Sequence, residues 1–202
     1  SYVDGVLVSA SSTQTGLGGD DTLILGDGSS VVIGGDGKDT ISTGAGFDTV
    51  AGDNAEMAWD VNGIILQARS TATDAGDDDT ISLLDGGSVV LGGLGNDVIS
   101  SLSGIDHVLG DNGDLVYTDG VLTQALATET TLGGDDIIDI GEDGGLVIAG
   151  QGADTVTAGD GDHQLVGDNA EILWSETGVM ASMKTIDGAS GGNDVISVGS
   201  GR

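Results

Sequence analysis

Carboxylates in this chain recur at a fixed interval and sit behind glycines. The clearest stretch is Gly34-Gly35-Asp36-Gly37-Lys38-Asp39-Thr40-Ile41-Ser42. Glycines at its first, second and fourth places let the backbone take positive φ and approach a ligand closely. Asp39 at the sixth place adds a carboxylate, and Thr40-Ile41-Ser42 reads as a short strand with one apolar side chain pointing inward. Such a loop offers only oxygens, and an oxygen-only set suits a hard divalent cation. The composition agrees: among 202 residues, 34 are acidic and 4 basic, for a formal charge of -30. A partner for that charge is cationic, because nucleic acid and anionic membrane are both repelled. No apolar run approaches the roughly 18 residues of a membrane span, so direct membrane insertion is not expected.

The elements that must position these carboxylates follow from the same count. Steps of nine from Gly34 hold their frame over 16–60, 74–118 and 131–175, and a further nine begins at Ala189. Leu23, Val32, Ile41, Val50 and Trp59 fall at the apolar place in the first block, with Ile81, Val90, Ile99, Val108 and Tyr117 in the second and Ile138, Val147, Val156, Leu165 and Trp174 in the third. Block starts lie 58, 57 and 58 residues apart, so a long period is laid over the short one. The chain divides into 1–15, the end of a preceding repeat, then repeats at 16–73, 74–130 and 131–188, and the start of a truncated repeat at 189–202. In the first of these the coil is expected to occupy 16–60, with a hairpin connector after it. Ser1-Tyr2-Val3-Asp4-Gly5 aligns with Val116-Tyr117-Thr118-Asp119-Gly120, which reads as a segment of a longer array.

Each block closes on Gly52-Asp53-Asn54, Gly110-Asp111-Asn112 or Gly167-Asp168-Asn169, and the sixth-place aspartate is then lost to Met57, Leu115 or Ile172. Tyr2, Trp59, Tyr117 and Trp174 follow in register, so the fifth nine is expected to cap the block with its ring plugging the core. Turns at Asp4-Gly5, Asn62-Gly63, Asp119-Gly120 and Thr177-Gly178 then signal hairpins with apolar return strands.

The nonapeptide G-G-x-G-x-D-x-U-x, where U is large and apolar, resembles the repeat of the RTX, or haemolysin-type, calcium-binding family. The resemblance implies an all-β fold, a parallel β-roll in which two nines make one turn, with odd-numbered nines stacked on one side and even-numbered ones on the other. It further implies several Ca2+ ions between successive turns, held by sixth-place aspartates and glycine-loop carbonyls. On the odd side the aspartates are Asp21, Asp39, Asp79, Asp97, Asp136, Asp154 and Asp194, an unbroken ladder. The even side keeps only Asp48 and Asp106, with Ser30, Ser88, Gly145 and His163 elsewhere, so weak or vacant sites are expected there; Asp27 and Asp85, at third places, are candidate substitutes. The full candidate set adds Gly18, Gly19, Gly34, Gly35, Asp36, Gly37, Asp53, Gly92, Gly93, Gly95, Asp111, Gly150, Gly152 and Asp168.

His107 and His163 lack the neighbours of a zinc site and read as surface residues. Lys38, Arg69 and Lys184 read as solvated, and Phe47, on a loop place, has no role. No nucleophile elbow, zincin helix or phosphate loop occurs, so the chain is read as non-enzymatic. With no cysteine, disulfide frameworks and thiolate sites are excluded, which suits a protein exported unfolded to the cell surface or medium. The leading reading is a calcium-stiffened repeat module of a large secreted or surface protein, such as an adhesin or matrix component. A second is the calcium-dependent carboxy-terminal export and folding region of a toxin, protease or lipase. A third, ice binding, needs a flat file of threonines and asparagines, whereas the outward places give Thr22, Thr40 and Thr49 but then Val98, His107 and Gln164.

Residues flanking the inward place of even strands are apolar, as in Val31 and Ile33, Val89 and Leu91, Leu109, Leu146 and Ile148, whereas odd strands show mostly Thr and Ser. A stripe of that length is not left in water. The hairpins are therefore expected to fold back over the even sheet; the alternative is self-association of neighbouring copies through that face.

Overall fold

The computed structural model describes residues 1–201. Nearly all its regular structure is in three sheets. The first, here the odd sheet, is parallel and stacks Thr22–Ile24, Thr40–Ser42, Thr80–Ser82, Val98–Ser100, Ile137–Ile140, Thr155–Ala158 and Val195–Val198 in that order. The even sheet, also parallel, stacks Val31–Ile33, Asp48–Ala51, Ser88–Gly93, Asp106–Asp111, Gly145–Gly150 and His163–Asp168. Chain order alternates between the two, so each odd strand and the even strand after it make one turn of a parallel coil. Register keeps like places together, with Ile41 beside Leu23 and Ile81, and Val90 beside Val50 and Val108.

Between these sheets lies a narrow apolar core of Val32, Ile41, Val50, Ile81, Val90, Ile99, Val108, Ile138, Val147 and Val156. These are the U places of the nines, and each fully buried side chain of this kind contributes about 1.5–3 kcal/mol. Odd strands are covered on one face and open on the other, as in the exposed–buried alternation of Ile137–Ile140. Even strands such as Ser88–Gly93 and Gly145–Gly150 are buried along their whole length. A strand covered on both faces reads as a continuous apolar run, which is what their flanking valines, leucines and isoleucines supply.

The second covering is a seven-stranded antiparallel sheet of Ser9–Ser11, Ala55–Trp59, Ile65–Ser70, Gly113–Thr118, Val121–Ala127, Ala170–Trp174 and Met180–Thr185. Its hairpins turn where the sequence predicts, with Asp119 at φ 50° and Gly120 at φ 78° in one of them. Each hairpin is inserted between an even strand and the next odd strand, and neighbouring hairpins pair edge to edge, as Val116 does with Gln67 and Ala125 with Ile172. Their inner residues Met57, Ala68, Leu115, Tyr117, Ala125 and Ile172 pack with Val89, Leu91, Leu109, Leu146 and Ile148 in a second core. The apolar even face is thus buried by the chain's own hairpins, so self-association through it gives way. The outward places Thr49, His107 and Gln164, which belong to even strands, lie on the covered side.

The fifth nine of each block differs from expectation. Ala55–Trp59, Gly113–Thr118 and Ala170–Trp174 are not a layer of the coil but strands of the covering sheet, and the coil stops at the Gly-Asp-Asn loop. Their burial alternates, and a period of two is a strand's signature, not that of a nonapeptide. The rings accordingly plug the second core: Tyr117 is buried in it, Trp59 and Trp174 pack partly against it, and Tyr2 is exposed.

Candidate metal edge

The loops that lead from even to odd strands carry the sixth-place aspartates of the odd side. Stacking sets them one above the other, and each main-chain N–H donates to the carboxylate of the next turn. Asp21 donates to Asp39 Oδ1 at 2.8 Å, Asp39 to Asp79 at 2.7 Å, and Asp79 to Asp97 at 2.7 Å. Asp97 then donates to Asp136 at 2.8 Å, Asp136 to Asp154 at 2.8 Å, and Asp154 to Asp194 at 3.1 Å. One oxygen of each carboxylate is thereby spent on holding the ladder. The other, Oδ2 of Asp39, Asp79, Asp97, Asp136 and Asp154, is buried with no hydrogen-bond partner.

Those orphan oxygens face main-chain carbonyls instead of donors. A Cβ placed on Gly34 would lie 2.1 Å from Asp39 Oδ2 and 2.2 Å from the Gly52 carbonyl oxygen. The corresponding space at Gly92 is bounded by Asp97 Oδ2 at 2.5 Å and the Gly110 carbonyl at 1.9 Å, and that at Gly110 by Asp136 Oδ2 and the Ala149 carbonyl. Two lone-pair-bearing oxygens turned on one small dry space repel unless a cation stands between them. The second- and fourth-place glycines, Gly35, Gly37, Gly93, Gly95, Gly150 and Gly152, hold φ between 108° and 141°, which shapes the loops around that space. At the first turn, a Cβ on Gly18 would strike the Asp36 carbonyl, whereas Gly19 has open space about it.

Burial raises the carboxylate pKa values along this edge, and neighbouring carboxylates add to it. Asp154 rises to about 6, Asp97 to about 7 and Asp79 to about 8, while Asp136 is pushed well above the usual range and Asp39 is raised. Without a compensating cation, burial biases these side chains toward the protonated form. Among the described residues no three His, Cys, Asp or Glu side chains converge on a point. The oxygens gathered here are therefore carboxylate and main-chain carbonyl in alternation, a set for hard cations and not for zinc.

The Gly-Asp-Asn aspartates stand differently. Asp111 accepts from Gly134 N at 3.0 Å and Gln151 N at 2.5 Å, stapling the returning connector to the following turn. Asp53 accepts from Leu94 N at 2.6 Å, keeps Oδ1 buried without a partner, and is raised to about 9, first by burial. Asp168 lies against Gly191, where a Cβ would sit 2.0 Å from Oδ1. The paired asparagines tie connectors down through main-chain carbonyls, Asn112 to Thr73 and Asn169 to Thr130. Asn54 donates to Asp36, whose Oδ2 is another buried orphan.

On the opposite edge, Asp106 is saturated: Ser88 Oγ donates to Oδ1 at 2.5 Å and Ser101 Oγ to Oδ2 at 2.6 Å. Asp48 accepts from Ser30 N at 2.8 Å, Asp27 from Ala45 N, and Asp85 from Ser103 Oγ. In the third repeat the same place holds His163, with Gly145 and Ala158 where the serines stood. Neither histidine is a free surface residue. His107 Nδ1 lies 2.9 Å from the Tyr117 hydroxyl beneath the covering sheet, and burial lowers its pKa to about 4. His163 Nε2 is 3.2 Å from the Gly159 carbonyl and its Nδ1 is buried. Lys38, Arg69 and Lys184 remain about half exposed but pair with Asp78, Glu56 and Glu171.

A second, outer ladder was missed from sequence. Asp20 accepts from Lys38 N, Asp78 from Asn96 N, Asn96 Oδ1 from Asp135 N and Asp135 from Ala153 N. These are fifth places, free in the nonapeptide formula; the signal was their recurrence as Asp or Asn.

The family model for the RTX calcium-binding nonapeptide repeat matches four times, at residues 15–50, 73–108, 91–114 and 140–169, together more than half the chain. No curated protein and no solved structure gives a significant match. The gaps left by the family model fall largely on the hairpins of the covering sheet, and its matches on the coil whose glycine loops carry the orphaned carboxylates. The chain belongs to the RTX family, whose nonapeptide repeats bind several calcium ions.

Proposed function

We propose that this chain is a calcium-stiffened structural module of a large secreted or cell-surface protein, in which Asp39, Asp79, Asp97, Asp136, Asp154 and Asp194 and the carbonyls opposite them hold the ions. The observation that carries this is the row of buried Oδ2 atoms without donors. Calcium supplies the missing charge there, and binding free energy to the folded coil becomes folding free energy. Gly34, Gly92 and their equivalents leave room for it, while Asp53, Asp111 and Asp168 close the hairpin stems beside it.

The continuous covering sheet supports a mechanical role over an export tag. Seven antiparallel strands run beside the whole coil and convert a thin ribbon into a three-layered rod. Ice binding finds little support on the open odd face, where the file in register reads Thr22, Thr40, Thr80, Val98, Ile137, Thr155 and Val195. The test is calorimetric titration of calcium-stripped protein with far-ultraviolet dichroism alongside. Saturable binding coupled to a gain of β signal is expected. A chain equally β-rich in chelator and in calcium would sink the proposal.

A further inference from the structure

Across the six even-strand turns, the fourth loop place is glycine at positive φ in five, Gly28, Gly46, Gly86, Gly104 and Gly161, and Asp143 at φ 86° in the sixth. An L-residue there is strained, and the Asp143 carboxylate accepts from Gly104 N of the neighbouring turn at 3.3 Å through Oδ2. Asp143 stands at the mouth of an open cleft of about 340 Å³ between the even sheet and the hairpin tips. Leu122, Leu146 and Trp174 form its apolar wall, His107 its floor, and Asp143 and Asp162 its acidic rim.

The preceding repeat shows how this space is otherwise treated. There Phe47 occupies the place of Ile105, and its ring lies against Gly87, 3.5 Å from where a Cβ would be. Ile105 in turn occupies the place of Asp162, and Gly86 that of Asp143. Going from one repeat to the next, a ring shrinks to isoleucine, an isoleucine becomes aspartate and a glycine becomes aspartate. A rim of exposed apolar side chains is thus exchanged for one that carries carboxylates. His107, bonded to the Tyr117 hydroxyl and with its pKa lowered by burial, is uncharged at neutral pH and does not oppose a cation.

We propose that this cleft binds a small organic cation, a primary ammonium on an aromatic or apolar body, with the body against Trp174 and Leu146 and the charge at the Asp143 carboxylate. Trp174 and Leu146 give that body an aromatic and apolar surface to bury. The chain's charge of -30 turns anions away.

The test uses calcium-saturated protein carrying Trp59→Phe, so that emission reports Trp174 alone. It is titrated with phenethylammonium, with the neutral isostere phenethyl alcohol and with phenylacetate. The ammonium should bind saturably and roughly tenfold more tightly than the alcohol, and phenylacetate should not bind. Asp143→Gly restores the residue the other five loops hold, so it keeps the fold; it should bring the ammonium down to the alcohol's affinity. Asp162→Ile, which puts the preceding repeat's bulkier apolar side chain at the rim, should weaken both. Equal binding of ammonium and alcohol, no saturable change, or an unaffected Asp143→Gly protein overturns the proposal. So does displacement of the ammonium by a further rise in calcium, which would make the rim a metal site.

Discussion

The two loop edges of the coil are built from one nonapeptide, yet they solve the problem of a buried carboxylate in opposite ways. On the even edge Asp106 is closed by two serine hydroxyls, so both its oxygens have donors and nothing further is required. On the odd edge Asp39, Asp79, Asp97 and Asp136 each accept a main-chain N–H on one oxygen and turn the other on a carbonyl. A carboxylate with its donors supplied is a structural hydrogen-bonding group; one deprived of them in a dry site is an ion receptor. On the proposed assignment, a sixth-place aspartate alone does not mark a calcium site. What decides is whether the loops above and below bring hydroxyls or carbonyls.

The comparison breaks first, and most severely, if calcium is taken away. Removing the ions leaves the buried Oδ2 atoms of five sixth-place aspartates uncompensated on the odd edge and changes nothing at Asp106. Loss of most β signal in chelator is expected, because the charges repel along the whole stack. Persistence of the native near-ultraviolet spectrum of Trp59 and Trp174 without calcium would show that the coil does not depend on that edge.

A smaller effect tests whether the edge works alone or through the covering sheet. Leu91 and Ile148 are both 1% exposed beneath the hairpins. Replacing each with Asp should cost upward of about 3 kcal/mol through lost packing and an unpaired buried charge, seen as a lower Tm of the monomer in saturating calcium. A retained Tm would mean that the hairpins do not rest on the even sheet in solution.

Much of this arrangement was legible in the sequence. The frame of nines, the U-place core from Ile41 to Val156 and the odd ladder all follow from a strict period, because a parallel coil forces equal spacing on every turn. The covering sheet could be read from valines and leucines on both sides of the inward place in even strands. Three matters could not. The fifth nine kept the spacing of nine while its burial had changed to a period of two, and Trp59 satisfied both patterns at once. The stapling by Asp111 depends on N–H groups of Gly134 and Gln151, and the formula does not specify what their main chain will face. His107 looked solvated because its partner Tyr117 had been assigned to the wrong core.

The edges are compared most directly by conservative substitution. Asp97→Asn keeps the shape and an oxygen but removes the charge, so at least a tenfold loss of calcium affinity at that level is expected on removal of a charged ligand. Asp106→Asn disturbs two hydroxyl donors and should cost about 1 kcal/mol for each hydrogen bond weakened, with calcium affinity kept. Calorimetric titration of the two variants in parallel decides it. Equal losses of calcium affinity would erase the distinction between the edges.

The gentlest probe is pH, applied to protein stripped of metal, and its sign follows from the direction of the shifts. Folded values of about 6 for Asp154, 7 for Asp97, 8 for Asp79 and Asp111 and 9 for Asp53 all lie above the ordinary 3.8. The folded coil therefore binds protons more tightly than the unfolded chain. Its stability is present in full below the unfolded value and is lost as pH climbs through the folded ones. Metal-free protein should then gain β signal as pH falls from about 9 toward about 5, with protons doing in part what calcium does in full. Calcium competes with those protons, so its affinity should fall as pH falls through the same window. Asp106 is raised too, because burial outweighs its serine donors, but less strongly, so Asp106→Asn should flatten the profile less than Asp97→Asn does. If metal-free protein instead gained structure toward alkaline pH, the buried oxygens of the odd edge could not be the groups that calcium relieves.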